Sequence, residues 1–309
     1  MSAHAQALEI DRRLLWGLCY RMTGNAADAD DLVQETFVRA IEKPPPRTDE
    51  PLRPWLVRVA MNLSRDLLRR RKREGYTGPW LPSPVPTDDE ESPASYEPAT
   101  EGEDSPVARY DLKESISFAF LLALEALTPS QRAVLLLRDV FDYSTSETAE
   151  ALGITESNVK VVLLRARNRM KEYDKNRAII TPARQEATRL ALEQFLLYLS
   201  TRDAANLERL LAEDVLSLSD GGGEMNAALN PIRGRNKVLR LILGLAAKSS
   251  WEPRFVLRSL NGLPAVLVED LRSITTNATR YTLHFEVDDT GRISGLHAVL
   301  VPRKLSAVW

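Results

Sequence analysis

A stretch in the middle of the chain, Tyr143 to Lys171, leaves few choices of fold. It reads YSTSETAEALGITESNVKVVLLRARNRMK. Ser144 to Glu147 spells Ser-x-x-Glu, a capping box that opens a helix. That helix runs through Ala149 and Leu152 and stops at Gly153, the residue that tolerates a left-handed turn. Thr155 is a good N-cap for a second helix. A short helix, a glycine turn and a longer basic helix make a helix-turn-helix. In the second helix Val159, Leu163, Ala166 and Met170 recur at helical spacing and are expected to face the core. Ser157, Val161, Leu164, Arg165 and Asn168 fall on the opposite side, flanked by Lys160, Arg167 and Lys171. Cations there suit phosphates, and polar side chains near the helix start suit base edges. The bland reading is a helical hairpin with a solvated basic face. Capping, turn, phase and charge agree against it.

At 309 residues, two or three domains are expected. The net charge of −2 says little, because charge is segregated along the chain. Cys19 is the only cysteine, so no intrachain disulfide forms, which fits a reducing cytosol. The histidines, His4, His284 and His297, are scattered, so no metal site is expected. The start of the chain lacks the charged-then-apolar order of a signal peptide. No apolar run approaches the ~18 residues of a membrane helix. A cytoplasmic protein without membrane contact is the expectation.

Leu8 to Met22 reads as a helix, broken at Thr23-Gly24-Asn25, and Ala26 to Glu42 as a second. The second helix has Ala29, Leu32, Val33, Thr36, Phe37 and Ala40 on one face and Asp28, Asp31, Gln34 and Glu35 on the other. An acidic face is usually only solvated; as a docking site it needs a basic partner. Pro44 to Pro46 end that helix. A third starts near Leu52 and carries Arg53, Arg58, Arg65, Arg69, Arg70, Arg71, Lys72 and Arg73 against one acid, Asp66. Helix-dipole preference explains some cations at a C-terminus but not an unbroken RRRKR. Such a cluster attracts a polyanion, and nucleic acid is the favoured partner.

From Tyr76 to Pro106 the chain is rich in Pro, Ser and acid, with no Lys or Arg. It reads as an extended linker. Its opening, Tyr76 to Pro82, holds Trp80 and Leu81, which solvent would waste, so this piece is expected to dock. Leu112 to Leu127 reads as one apolar helix. Thr128-Pro129-Ser130-Gln131 is a second capping box, opening a helix to Val140. After Thr181-Pro182 come two helices, Arg184 to Ser200 and Asp203 to Leu211, and a strand, Val215 to Ser219. Asp220-Gly221-Gly222-Gly223 marks a turn or close backbone approach. A helix from Gly234 to Lys248 and strands at Arg254–Leu260, Leu263–Glu269, Thr279–Val287 and Arg292–Val301 follow. Asn261-Gly262 supplies a hairpin turn. Helices followed by a curved antiparallel sheet predict an α+β cone.

The chain to about residue 174 resembles bacterial extracytoplasmic-function sigma factors. The resemblance rests on Ala29-Asp30-Asp31-Leu32-Val33-Gln34-Glu35-Thr36-Phe37, on Trp55-Leu56-Val57-Arg58-Val59-Ala60-Met61-Asn62, and on the helix-turn-helix. It implies that Asp28, Asp31, Gln34 and Glu35 dock on the clamp helices of the largest subunit of core RNA polymerase, with the flap a further partner. It implies that Arg58, Asn62, Arg65, Arg69, Arg70 and Arg73 engage the −10 promoter element, Asn62 near an extruded base. Ser157, Lys160, Arg165 and Arg167 are then the −35 contacts in the major groove. Family members often place small polar or basic residues where this chain has Val161, Val162 and Leu164. Apolar side chains there touch a thymine methyl but do not read guanine.

The last third resembles the SnoaL-like, or nuclear-transport-factor-2-like, fold. Asp214, Asp220, His284 and His297 are its candidate polar groups, but no acid–base dyad is visible and each reads better as structural. The combination resembles the sigma-factor subgroup with a fused SnoaL-like extension. Its motifs are matched by Tyr76 to Pro84, by Asp220 to Gly223 and, more loosely, by Val301-Pro302-Arg303-Lys304-Leu305. In that subgroup the extension is thought to regulate the sigma core in cis. Tyr76, Trp80, Leu81 and Pro82 are therefore expected to lie against Asp220, Gly221, Gly222 and Gly223 and to set the distance between the DNA-binding modules.

The resulting expectation is a multidomain chain: two all-α sigma domains, the second a helix-turn-helix, followed by an α+β SnoaL/NTF2-like cone. Boundaries fall at residues 1–75, 76–110, 111–175 and 182–305. The function expected is promoter recognition for core RNA polymerase, without catalysis, cofactor or metal; whether the C-terminal domain takes a small ligand is left open. The alternatives are a DNA-tethered SnoaL-like enzyme and a ligand-sensing helix-turn-helix repressor. The acidic helix and the separate −10-like module speak against a repressor.

Overall fold

Helix starts along this chain are set by short polar side chains that catch free amides. In the computed structural model, Thr128, Ser144, Thr155 and Thr181 each cap a helix, and the first two complete a capping box. The structure describes residues 3–42, 52–88, 109–177, 179–248, 253–270 and 278–309. The breaker Pro44–Pro46 and the acidic run beyond Asp88 lie outside them. The chain divides into two compact units: Met1–Gly75 with Asp89–Ile179, and Tyr76–Asp88 with Ile180–Trp309.

The first unit is all helix. It comprises α1 (Ala3–Thr23), α2 (Ala26–Glu42), α3 (Leu52–Glu74), α4 (Leu112–Ser115), α5 (Phe118–Leu124), α6 (Pro129–Asp139), α7 (Thr145–Leu152) and α8 (Glu156–Lys175). The single helix expected from Leu112 to Leu127 is broken in two. The Ser117 hydroxyl accepts from the Phe120 amide at 3.2 Å and caps α5, ending the first turn of helix at Ile116. α1 is buried from Leu14 to Met22 on every side. α1 packs on α2, α3 and α6.

Two buried arginines fasten α1 to the later helices. Arg21 donates to Ser115 Oγ at 2.6 Å, to the Leu112 carbonyl at 3.0 Å and to the Gly17 carbonyl at 3.1 Å. Arg132 donates to the Met22 carbonyl at 2.8 Å, and to the Leu124 carbonyl and Glu125 carboxylate at 2.7 Å each. Burial pulls the Arg21 guanidinium down to about 10, still charged near neutrality, and lowers that of Arg132 in the same way. The Met22 and Leu124 carbonyls that Arg132 meets lie at the C-terminal ends of α1 and α5, where a cation is favoured.

The second unit is an α+β domain. α9 (Pro182–Ser200), α10 (Ala204–Leu210) and α11 (Arg235–Lys248) accompany six strands. These are β1 (Leu211–Asp220), β2 (Ile232–Arg233), β3 (Arg254–Leu260), β4 (Leu263–Glu269), β5 (Arg280–Val287) and β6 (Ile293–Val299), in the order β2-β1-β6-β5-β4-β3. The sheet is mixed, not wholly antiparallel, because β1 runs parallel to β6. β1 also begins earlier than the alternation suggested: it leaves α10 at Leu211 and bulges before Leu216. Leu192, Phe195, Val215, Val238, Val266 and Phe285 join the helices to one sheet face, with the Phe195 and Phe285 rings 5.1 Å apart. Each such side chain contributes roughly 2 kcal/mol by leaving water. A 3-10 turn, Pro302–Leu305, follows β6.

Candidate functional site

The helix-turn-helix is α7, the Gly153 turn and α8. Gly153 adopts φ +63° at the α7 C-cap, where its amide meets the Ala149 and Glu150 carbonyls. Val159, Leu163, Ala166 and Met170 are buried, so the phase of α8 is fixed. Ser157, Lys160, Val161, Leu164, Arg165 and Asn168 are exposed on its outer side. Leu164 is 62% exposed, a leucine that the described residues leave uncovered. Arg167 is held otherwise: its guanidinium makes two hydrogen bonds to Asp139, 2.9 and 2.6 Å, and that carboxylate is almost fully buried. The ion pair raises the Arg167 pKa and locks α8 onto α6. Arg167 is thus a bracing residue in this structure, while Ser157, Lys160 and Arg165 stand free of the fold's core.

The cationic helix α3 buries Leu56, Val57, Ala60, Met61, Ser64 and Leu68 and leaves Arg58, Asn62, Arg69, Arg70 and Arg73 exposed. Arg65 sits between the modules. It lies 3.4 Å from Asn62 Oδ1, 3.3 Å from Ser130 Oγ and 3.4 Å from the Leu152 carbonyl. Burial, then the neighbouring Arg69, lower its pKa. The Arg58 guanidinium lies 3.9 Å from where a Cβ on Gly153 would stand. Arg71 donates to the Thr23 carbonyl at 2.9 Å and to Glu125. The face of α3 that carries Arg58, Asn62 and Arg65 is therefore turned toward the end of α7 and the start of α6. On α2, Asp31, Gln34 and Glu35 are exposed and Asp28 is half-buried near the helix start; Glu35 also pairs with Arg39 at 2.8 Å.

In the second unit, residues 76–88 bind onto the α+β domain around one carboxylate. Asp220, fully buried at the end of β1, accepts the Tyr76 hydroxyl at 2.5 Å and the Gly222 amide at 3.2 Å on Oδ1. Its Oδ2 accepts the Leu81 amide at 2.7 Å and the Lys304 ammonium at 2.6 Å. Lys304, buried in the 3-10 turn, also donates to the Leu81 carbonyl at 2.7 Å and sits over the Tyr76 and Trp80 rings, 4.7 and 4.5 Å from their centroids. Leu81 and Pro82 are buried, Trp80 half-buried. A buried ion pair survives desolvation only when its remaining lone pairs and protons are met, and here several are.

The glycines after Asp220 make the approach possible. A Cβ on Gly221 would stand 2.5 Å from the Met225 carbonyl oxygen and 2.8 Å from Ala227 Cβ. Gly222 has φ +59°, and its Cβ would meet Val301 at 2.9 Å and the Tyr76 hydroxyl at 3.3 Å. Gly223 lies over Thr77. Further along, Val85 and Asn261 exchange hydrogen bonds of 3.0 and 2.9 Å, the Thr87 amide donates to the Ser259 carbonyl at 2.9 Å, and Arg258 pairs with Asp88 at 2.8 Å. The linker thus covers the tip of the β3–β4 hairpin.

Sequence reasoning singled out Tyr76, Trp80, Leu81, Pro82 and Asp220 to Gly223; the structure brings Tyr76 and Leu81 onto Asp220, Tyr76 beside Gly222 and Trp80 onto Lys304, and buries Pro82. It missed Lys304, Asn261 and the two buried arginines, Arg21 and Arg132. Lys304 stood in a recognised motif but with no role; a cation among apolar residues, Leu300 and Val301 before it and Leu305 after it, was the available signal. His284 and His297 face each other across β5 and β6, and His284 is buried against Thr282. Asp214 is exposed on β1. Among the described residues there is no group of three or more His, Cys, Asp or Glu placed to hold a metal, and no helix long and apolar enough to cross a membrane.

Comparison with known proteins is consistent along the whole chain. Residues 9–74 match the Sigma-70 region 2 family and residues 117–170 the Sigma-70 region 4 family. The chain is similar to the ECF RNA polymerase sigma factor SigJ of Mycobacterium tuberculosis, 34% identical over 77% of this chain and 71% of the relative. It is equally similar to SigG of the same organism, 34% identical over 85% of this chain and 72% of that protein. The crystal structure of M. tuberculosis SigJ superposes with a TM-score of 0.71 and 26% identity, covering 98% of both chains.

Proposed function

We propose a cis-regulated mode of promoter loading for this chain, which belongs to the extracytoplasmic-function RNA polymerase sigma factors. A protein of this family binds core RNA polymerase and directs it to promoter DNA. In our reading Asp28, Asp31, Gln34 and Glu35 meet the polymerase, Arg58, Asn62, Arg65, Arg69, Arg70 and Arg73 the −10 element, and Ser157, Lys160 and Arg165 the −35 element. Val161 and Leu164 add contacts to thymine methyls. Arg167 serves the −35 helix by bracing it on Asp139.

The observation that carries the regulatory part is the grip of Asp220 and Lys304 on Tyr76 to Leu81. α3 ends at Glu74, so the gripped segment begins almost where the −10 helix stops. While it is held, residues 76–88 are withdrawn from the tether that separates the two DNA-binding modules. A fused domain acts at high effective concentration, so even modest contacts keep the segment docked. Docking sets how far the −35 module reaches from the −10 module, and through that the rate of initiation.

The test is transcription in vitro with core polymerase and a cognate promoter, comparing the natural chain with Trp80→Ala and Gly222→Asp. Trp80→Ala removes one wall around the Lys304 ammonium; Gly222→Asp places a side chain and a charge against Tyr76 and Val301. Both variants are expected to change transcript yield by severalfold while retaining polymerase binding. Unchanged yield from both removes the regulatory reading; loss of polymerase binding by the natural chain removes the whole.

A further inference from the structure

Tyr281 packs with the helices on one face of the sheet, so Arg280, the residue before it on β5, belongs to the other face. Beside Arg280 opens a groove of about 300 Å³. Leu300 and Leu305, both buried, form its floor. Met225 and Trp309, both half-buried, add its walls, and the exposed Arg280 and Ser306 lie at its rim. Backbone hydrogen bonds hold these walls in place. The Met225 amide donates to the Gly221 carbonyl at 2.9 Å, the Leu300 amide to the Asp220 carbonyl at 2.9 Å and the Trp309 amide to the Leu305 carbonyl at 3.2 Å. The Trp309 indole also donates to Glu269 at 3.2 Å. A site shaped before its ligand arrives loses less freedom on binding.

The charge at the rim is positive on balance. Glu269 of β4 stands opposite Arg280 in the sheet. Its carboxylate lies 3.2 Å from Arg280 Nε and 3.9 Å from Arg254, so two cations share one anion. Arg280 meets that anion through Nε alone. Its guanidinium carbon is 5.7 Å from the centre of the Trp309 ring, and among the described residues its two Nη nitrogens have no acceptor. Two parallel N–H donors on a planar cation match a carboxylate. The floor beside them is apolar and matches a hydrocarbon body. The volume equals roughly ten waters at ~30 Å³ each, room for a ligand of about ten non-hydrogen atoms.

We propose that this groove binds a small aromatic carboxylate, its ring against Trp309, Met225 and Leu305 and its carboxylate on the Nη nitrogens of Arg280. An indole and a thioether are both favourable neighbours for an aromatic ring. The pairing of guanidinium with carboxylate is charge-assisted and sets the preference for an anion. The proposal concerns binding alone and does not depend on how the linker dock works.

The probe is phenylacetate, titrated by calorimetry into the purified full-length chain near neutral pH. Phenylacetamide, which has the same shape without the charge, is its companion. Saturable phenylacetate binding is expected, about tenfold tighter than that of the amide. Arg280→Gln is expected to weaken phenylacetate about tenfold and to leave the amide unchanged. Ser306→Trp fills the mouth of the groove and is expected to abolish binding of both. If that larger side chain unfolds the domain, as circular dichroism would reveal, Arg280→Gln still decides. Equal or tighter binding of the amide, an unaltered phenylacetate affinity in Arg280→Gln, unchanged binding in a folded Ser306→Trp chain, or no saturable phenylacetate binding up to about 10 mM would overturn the proposal.

Discussion

A single lysine shows how much of this molecule rests on individual side chains. Lys304 is 3% exposed and shares Asp220, itself fully buried, with Tyr76 and Leu81. Lys304→Met removes the cation and leaves the carboxylate without its counter-charge, which costs about 3–5 kcal/mol. Chemical denaturation of the full chain is expected to show this as an early loss of the α+β domain. His284 gives a pH signature. Burial and the neighbouring His297 lower its pKa to about 3, against about 6.5 when unfolded. The unfolded chain therefore binds more protons between those values, and stability falls as pH drops through that window. The loss from this one group is about 2 kcal/mol at pH 5; His284→Gln is expected to flatten the stability–pH curve below neutrality. Cys19 behaves as a core residue: burial pushes its thiol up to about 12, and it is expected to resist thiol reagents until the helices unfold. The sequence marks Asp220 to Gly223 because three glycines in a row have few other uses. It does not mark Lys304, Arg21 or Arg132, because a buried cation is legible only when the carbonyls and carboxylate that receive it are known.

Among elements, the helices were the most legible. Capping boxes at Thr128 and Ser144, the Thr155 cap and the Gly153 stop are local chemistry, and local chemistry places the helix ends. Ser144→Ala is expected to lower stability by about 1 kcal/mol in urea titration, through loss of the α7 cap. The phase of α8 was legible from four apolar positions; the bracing of Arg167 by Asp139 was not, since the two lie 28 residues apart. The break at Ser117 and the parallel pairing of β1 with β6 were also hidden. The first is a contest between a capping hydroxyl and a continuous apolar run; the second depends on which strand a long connection returns to. The exposed apolar residues on α8 give a functional prediction. Leu164→Ala is expected to leave thermal stability unchanged, because the side chain is 62% exposed, and to weaken binding to a −35 duplex about tenfold. The duplex comparison between thymine-rich and thymine-free elements identifies the methyl contact.

For the whole molecule, composition was the poorest guide. A net charge of −2 conceals a cationic α3 and an acidic linker that follows it. The packing of the helix-turn-helix module on α1 and α3, through Arg21, Arg65 and Arg132, was not legible either, since no periodicity encodes contact between elements so far apart in the chain. That packing has a mechanical consequence. Promoter elements centred roughly 25 base pairs apart are separated by roughly 85 Å along straight DNA, and two modules in mutual contact do not span that distance. The account therefore requires the helical unit to open when polymerase and promoter are bound. The most direct measurement is the distance between spin labels on Lys72→Cys and Glu172→Cys, both exposed and outside the contacts described, with the buried Cys19 unlabelled. One short distance is expected for the free chain, replaced by one several tens of ångströms longer in the polymerase–promoter complex; the same short distance persisting in a transcribing complex would contradict the account.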